Sequence, residues 1–187
     1  MIELIDAAAW RPGTWAHGTT HAIAAWTDVS GAITARLSVA SIDRAGWFST
    51  FADCDRWLAV LDDGGGLRLD RTDGAHRLAI GATLAFAGDE PIVATPTRSA
   101  HVFNLIVRRG VGWQARVVTA RDDHEAPPGV VAIVAAAAAL DVRLGDRALA
   151  LPRHTTAIAT TATPLQVGVD AAPDRPAIVV TLAGLCR

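Results

Sequence analysis

The chain has 187 residues and a formal net charge of −2, with 51% hydrophobic and 19% charged residues. This composition excludes an intrinsically disordered protein, and the balanced charge gives no reason to expect bulk electrostatic binding to nucleic acid or to an anionic membrane. A chain of this length is able to bury a sizeable core, either as one domain or as two fused halves.

Short apolar segments that alternate with polar residues recur along the whole chain, and this period of two predicts strands. Turn sequences separate them, such as the glycine-rich residues 62–66 and the Pro-Pro-Gly at 127–129. So many short strands predict an all-β sandwich or barrel. In chain order, we expect strands near residues 2–5, 21–27, 33–42, 56–62, 66–70, 76–79, 84–87, 91–95, 101–108, 114–120, 130–136, 139–143, 148–150, 155–160, 165–169 and 177–182.

The apolar run at residues 129–140 is the ambiguous segment. Its five consecutive alanines favour a helix by propensity, but the β-branched residues before them and the turn after them favour a strand. We interpret it as a buried strand with small residues. The run is also too short to span a bilayer. Cys54 and Cys186 are too few for a disulfide framework, and the first ten residues lack the pattern of a signal peptide. We therefore expect free thiols and a cytoplasmic protein.

A weak internal repeat relates residues 77–94 to residues 143–159. Each copy has a turn, a short apolar strand, a polar corner and a second strand. This arrangement resembles the closing unit of the cupin jelly roll. Two copies imply a bicupin, which is two fused cupin-type jelly-roll barrels with a seam near Gly110–Gly112. We expect the first barrel at residues 1–112 and the second at residues 113–187, packed as one unit, and leave open whether terminal strands are exchanged.

Four ordered motifs narrow the resemblance. Arg36-Leu-Ser-Val-Ala is similar to W-R-x-S-x-A, and residues 46–56 are similar to G-P-F-S-x-F-P-G-x-D-R. Residues 86–89 are similar to F-x-G-D, and residues 103–110 are similar to the end of D-F-N-x-M-x-R-R-G. Together they resemble the HutD/Ves family of bacterial bicupins, which have an RmlC-like cupin fold, over roughly Trp10–Gly110.

The chain departs from the family pattern through an insertion at residues 12–17 of the N-terminal element and at three further positions. His21 and Ala22 stand where the N-terminal family element has arginine and glutamate, and Val102 stands at the aspartate of D-F-N. The resemblance implies a link to the control of histidine utilisation or to a stress response, and the binding of a small acidic intermediate of histidine breakdown. Cupins often dimerise through sheet edges, so a homodimer is compatible with the resemblance.

The metal-binding motif of cupins is not present in the sequence. That motif, G-x5-H-x-H-x3,4-E, places two imidazoles and a carboxylate on one ion. Counted from Gly46, the two histidine positions hold Ala52 and Cys54, and no glutamate follows at the required distance. We therefore expect neither a metal nor another cofactor.

Polar residues on the predicted barrel strands are candidates for a ligand pocket. Arg36 and Ser38 share one face of a strand, because side chains alternate along it. Arg56 and Asn104 lie in two further motifs of the resemblance. Arginine binds a carboxylate through a bidentate fork, and serine or asparagine completes the hydrogen bonding. The alternative is that the two arginines form structural ion pairs, for which the neighbouring acids are Asp43, Asp53 and Asp55.

Two further segments are candidates for the rim of this pocket. In the corner at residues 46–51, Trp47 and Phe48 would cover a ligand and Ser49 would donate a hydrogen bond; the alternative is a packed corner. Thr19, Thr20 and His21 would line the same pocket; the alternative places His21 at the surface or at a strand end. Residues 122–125 resemble a metal cluster only superficially, and we interpret them as a solvated loop.

The leading hypothesis is a metal-independent binding protein for a small acidic metabolite, with a regulatory or stress-related role. Arg56 would bind its carboxylate, while Ser38, Asn104 and Thr20 would orient it. The second hypothesis is a metal-free hydrolase or isomerase that uses His21 or His101 as a base. A third is a structural or partner-binding protein whose pocket is filled by its own side chains.

Overall fold

The computed structural model describes residues 1–120, 123–171 and 177–184, and these residues form strands almost throughout. One turn of 3₁₀-helix at Ala7–Ala9 follows the first strand. The strands are β1 Ile2–Ile5, β2 Arg11–Trp15, β3 Gly18–Thr27, β4 Ile33–Ile42, β5 Gly46–Trp47, β6 Cys54–Asp62, β7 Leu67–Arg71, β8 Gly74–Leu78, β9 Thr83–Ala87, β10 Val93–Pro96, β11 Ala100–Arg108, β12 Gln114–Ala120, β13 His124–Ala126, β14 Gly129–Ala135, β15 Leu140–Leu144, β16 Arg147–Leu151, β17 Thr155–Thr161, β18 Leu165–Asp170 and β19 Ala177–Ala183.

The predicted all-β class is confirmed, and each predicted strand overlaps an observed one. The sequence analysis missed β2, β5 and β13. The last of these corrects the prediction of a solvated loop at residues 122–125, because His124 and Glu125 belong to β13 and pair with β18. Asp122 of that predicted loop lies outside the described residues.

The chain divides into two compact units, one of which is the continuous segment Trp10–Arg109. Its larger sheet has the strand order β2-β3-β4-β11-β6-β9, and its smaller sheet has the order β5-β10-β7-β8. All of these pairings are antiparallel. Alternate residues of the two sheets pack against each other in a core that includes Ile42, Leu58, Leu69 and Ala94. The unit is therefore a two-sheet sandwich in which one face of β4, β6 and β11 points toward the smaller sheet.

The other unit combines Met1–Ala9 with Gly110–Arg187. Its sheets have the orders β1-β17-β14-β19-β12 and β13-β18-β15-β16. The ambiguous run at 129–140 is a strand in its first part, as predicted, since β14 is buried at every residue and pairs with strands on both sides. At the start of β14, Gly129 has φ 142° and lies against the Leu182 backbone, so a larger residue is not tolerated there.

Two further observations concern the whole described part of the chain. No helix among the described residues is long and apolar enough to cross a membrane. Cys54 is a free thiol, as predicted, and burial raises its pKa. Cys186 lies outside the described residues.

Candidate functional site

The unit Trp10–Arg109 contains a cavity of about 70 Å³ that is partly open to solvent. It brings together seven of the eight residues that the sequence analysis proposed as ligand contacts. The residues that line it are Trp15, Thr20, Arg36, Ser38, Ala40, Ile42, Phe48, Ser49, Phe51, Arg56, Val102, Asn104 and Ile106. The third hypothesis expected a pocket that is filled by its own side chains. The open space in this cavity does not match that expectation.

Strand register explains why distant parts of the sequence meet in this cavity. On β4, the alternating residues Arg36 and Ser38 face the cavity, because successive side chains point to opposite sides of a sheet. Ile106 of β11 is directly opposite Arg36 on one side and Arg56 of β6 on the other. Asn104 is opposite Ser38 in the next inward-facing row. The two arginines thus flank one residue, and both reach the same end of the cavity.

Arg56 is buried, with 6% of its surface exposed, and two hydrogen bonds fix its guanidinium. Nη1 donates to the backbone carbonyl of Ser49 at 3.0 Å, and Nη2 donates to Oδ1 of Asn104 at 3.3 Å. The buried Nε has no hydrogen-bond partner among the described residues. The Cζ atom lies over three aromatic rings, 4.9, 5.2 and 5.3 Å from the ring centroids of Phe86, Phe51 and Phe48.

The charge of Arg56 is not neutralised by a carboxylate of the described residues. Burial, and to a lesser extent the positive charge of Arg36, lowers the pKa of Arg56 to about 10. The guanidinium therefore remains protonated at neutral pH but is poorly solvated. A buried cation of this kind is a ready partner for an anion.

The structural ion pairs that the sequence analysis left open are not formed by the two cavity arginines. Asp55 pairs instead with Arg109, whose Nε lies 2.7 Å from Oδ1. Asp43 accepts hydrogen bonds from the hydroxyl groups of Ser41 and Ser99. Asp55 is next to Arg56 on one strand, so their side chains point to opposite faces.

Arg36 is half-buried and has its Cζ 5.6 Å from the centroid of the Phe51 ring. Within the described part of the chain, its guanidinium makes neither a hydrogen bond nor a salt bridge to another side chain. The same ring also lies beneath Arg56. Two cations therefore share one aromatic surface, and the donors of Arg36 are available to a ligand.

The corner at residues 46–51 both packs into the core and borders the cavity, which combines the two alternatives of the sequence analysis. Phe48 is buried in the core and stacks with Phe86, with 6.3 Å between the ring centroids. The backbone amide of Phe51 donates to the carbonyl of Gly88 at 2.8 Å, which attaches the corner to the following turn. Ser49 contributes its carbonyl to Arg56 as an acceptor. The predicted donor role of the Ser49 hydroxyl stays a prediction.

The histidines named in the second hypothesis do not line the cavity. Thr20 of β3 faces the cavity, whereas His21 is exposed on the opposite face of the same strand. Strand alternation alone predicts this separation. His101 is half-exposed, 3.9 Å from Asp62. The cavity therefore lacks the base that the enzymatic hypothesis assigned to one of these two residues.

Sequence reasoning missed three important lining residues. Trp15 belongs to β2, which was not predicted, and its indole donates to the carbonyl of Ser41 at 3.1 Å. Phe51 was seen only as part of an aromatic corner, although it contacts both arginines. Ile106 alternates with Asn104 on β11, and this period of two is the signal that identifies it.

No group of three or more histidine, cysteine, aspartate or glutamate residues in the described part of the chain is arranged to hold a metal ion. The cavity instead combines two cations, amide and hydroxyl groups and an apolar wall. These groups are suited to orienting a small anion through charge-assisted hydrogen bonds.

The fold and the cavity define a cupin-like protein of two sandwich units, one of which has an arginine-lined cavity. The HutD family model matches residues 6–175, and the chain belongs to this family, as the four motifs predicted. Comparison with functionally curated proteins gave no significant match.

Solved structures agree with this assignment. The conserved protein of unknown function PA5104 from Pseudomonas aeruginosa PAO1 is 25% identical, with a TM-score of 0.83, and the match covers 98% of this chain and 100% of that one. HutD from Pseudomonas fluorescens SBW25, solved in a formate condition, is 22% identical with a TM-score of 0.81, covering 97% and 98% of the two chains. A cupin 2 conserved barrel domain protein from Leptotrichia buccalis is 9% identical with a TM-score of 0.56, covering 97% and 96%. The predicted cupin fold is confirmed.

Proposed function

We propose that this protein binds a small acidic metabolite in the cavity of the unit Trp10–Arg109 without turning it over. The observation that carries the proposal is the buried, protonated guanidinium of Arg56, which has no carboxylate partner among the described residues. Arg36 in the same cavity adds a second positive charge. An anion bound between the two would be stabilised by both positive charges.

The energetics of burial support this proposal. Burial lowers the pKa of Arg56 from its ordinary value to about 10, and each pKa unit corresponds to about 1.4 kcal/mol, so the charged form is disfavoured by roughly 3 kcal/mol. A carboxylate that accepts hydrogen bonds from the guanidinium would recover much of this free energy. Ser38 and Asn104 lie beside the arginines and would complete the hydrogen bonding of the carboxylate oxygens.

Membership of the HutD family supports an acidic compound of histidine degradation as the ligand, and a regulatory or stress-related role as the consequence of binding. In this proposal, the concentration of the metabolite sets the occupancy of the cavity, and occupancy stabilises the protein by mass action. A binding role rather than catalysis is supported by the cavity lining, which contains no histidine among the described residues.

Calorimetry with formate, urocanate, formiminoglutamate and formylglutamate tests this function. We expect saturable binding of at least one of these anions to the wild-type protein. Arg56→Met should weaken it by at least about 30-fold, since removal of one member of a buried charge pair costs about 2 kcal/mol or more. Arg68→Met is the matched control, because Arg68 lies in the same unit but is exposed and pairs with Asp70. Absence of heat with all four compounds, or equal binding by Arg56→Met, would contradict the proposal.

A further inference from the structure

The cavity is polar at one end and apolar at the other. Along β4, the inward-facing residues change from Arg36 through Ser38 to Ala40 and then Ile42. Strand β11 follows the same gradient, since Asn104 is opposite Ser38 and Val102 is opposite Ala40. A ligand in the cavity therefore meets cations on one side and hydrocarbon on the other.

The polar groups at the apolar end are already engaged by the protein. Thr20 lies opposite Ala40, and its hydroxyl donates to the carbonyl of Val39 at 3.4 Å. The indole of Trp15 donates to the carbonyl of Ser41. Among the described lining residues, both cations are at the other end. A second carboxylate placed at the apolar end would lose its hydration without gaining a cationic partner.

The two arginines differ in how many donors they can offer. Arg56 already donates to Ser49 and Asn104, and its Nε is buried. Arg36 donates to no other side chain or backbone group of the described residues and is half-buried at the cavity wall. A bidentate fork to a carboxylate needs two free N–H groups on one edge of the guanidinium. Arg36 meets this requirement more fully than Arg56 does.

The enclosed part of the cavity is small. A water molecule needs about 10–15 Å³ of such space, so the enclosed volume of about 70 Å³ accommodates roughly five to seven non-hydrogen atoms of a ligand, and any further atoms extend toward the opening. A carboxylate group uses three of them. The remaining space corresponds to a chain of only a few carbon atoms.

We infer that the ligand is a short monocarboxylate with a compact apolar end, whose carboxylate is bound by Arg36 and whose apolar end packs against Ala40 and Val102. This inference rests on the proposed binding of an acidic metabolite and narrows it. Urocanate, formiminoglutamate and formylglutamate are larger than the enclosed part of the cavity and would extend into its opening, and the latter two, as dicarboxylates, should bind more weakly than butyrate. Arg56 then contributes a fixed positive charge, and its hydrogen bond to Oδ1 holds the side chain of Asn104 in position. Arg36 determines the specificity for the anion.

A homologous series of acids tests the inference directly. We would titrate the full-length protein by calorimetry with formate, acetate, propionate, butyrate and hexanoate, and with the dicarboxylates malonate and succinate. Each added carbon should tighten binding about fourfold up to butyrate, since a buried methylene contributes about that factor. Hexanoate should gain nothing further, and succinate should bind at least about tenfold more weakly than butyrate because its second carboxylate is desolvated.

Two variants test which residues contact the carboxylate and which contact the apolar end of the ligand. Arg36→Gln should weaken all monocarboxylates at least about tenfold, because it removes the charge and the bidentate fork while keeping a polar amide. Val102→Thr should reduce the gain from acetate to butyrate, because it places a hydroxyl against the apolar end while nearly preserving shape. Arg68→Gln is the control and should leave the series unchanged, as Arg68 is exposed outside the cavity.

The outcomes separate this inference from the proposed function. Equal affinities along the series, tighter binding of succinate than of butyrate, or an unaffected Arg36→Gln variant would overturn the inference while anion binding itself stands. If no acid in the series and none of the four histidine-pathway compounds binds the wild-type protein, the proposed function fails, and the inference fails with it.

Discussion

Replacing Arg56 with methionine should stabilise the ligand-free protein at the same time as it removes anion binding. The guanidinium of Arg56 is buried without a carboxylate partner among the described residues, so its charge costs free energy that the ligand would offset. Methionine has a similar length and packs favourably against aromatic rings, of which Phe48, Phe51 and Phe86 surround this position.

The expected gain is the balance of two contributions. The depressed pKa of Arg56 corresponds to a cost of roughly 3 kcal/mol for the charged form. The variant loses two hydrogen bonds, to Ser49 and Asn104, each of which contributes about 0.5–1.5 kcal/mol net. We therefore expect the free energy of unfolding to rise by up to about 2 kcal/mol, which for a chain of this size raises Tm by up to about 8 °C.

The pH dependence of this gain follows from the sign of the shift. The folded-state pKa of Arg56, about 10, is below the ordinary pKa of an unfolded arginine, so the folded protein binds fewer protons than the unfolded one only at alkaline pH. The cost of the charge is thus fully present below about pH 10 and decreases as pH rises above that value. The gain in Tm should be constant between about pH 6 and 9.

Differential scanning calorimetry of the wild type, Arg56→Met and the surface control Arg68→Met measures these differences without ligand. The control should change Tm by no more than about 2 °C, because exposed ion pairs contribute about 0–1 kcal/mol. A Tm of Arg56→Met that is lower than that of the wild type would refute the reasoning, since it would mean that the guanidinium is a net stabiliser even without an anion.

Three further changes test other parts of the structure. Ile133→Ala, in the buried strand β14, should lower the free energy of unfolding by about 2–5 kcal/mol in urea denaturation, and a smaller loss would contradict the dense packing of that core. Asp28→Ala should lower Tm at pH 7, because hydrogen bonds from Ser30 and then Arg108 hold the pKa of Asp28 well below its usual range. That stabilisation is present above the unfolded pKa of 3.8 and is lost as pH falls below it, so a difference in Tm that persists undiminished at pH 2 would contradict the assignment. Gly46→Ala should cost roughly 1–3 kcal/mol, because its Cβ would overlap the His17 ring, and unchanged stability in urea would show that the corner adapts.

The regular part of the fold was predictable because alternation records which face of a strand is buried. The strand at 33–42 was predicted with its observed bounds, as was the strand at 114–120. The missed strands are short or lie at sheet edges, where burial leaves little pattern. Strand β2 contains Pro12 and Gly13, which disfavour a strand in sequence but are tolerated at the edge of the larger sheet.

Of the candidate site, only the residues that lie on an alternating strand face or in a motif were predictable from the sequence. Alternation correctly placed Arg36 and Ser38 on one inward face, and it would also have separated Thr20 from His21 had it been applied to β3. The sharing of the Phe51 ring by two arginines could not be predicted, because it depends on how the corner folds back over the sheet. Tertiary packing, rather than local pattern, sets that contact.

The central claim is that a carboxylate binds between the arginines of the unit Trp10–Arg109. Titration of ¹⁵N-labelled protein with propionate, followed by ¹H–¹⁵N correlation spectra, tests it most directly. We predict saturable shifts that are confined to the amides of β4, β11 and the corner, together with the side-chain amide of Asn104 and the indole of Trp15. The absence of saturable shifts at these positions, or shifts spread equally over exposed arginines such as Arg68, would contradict the account.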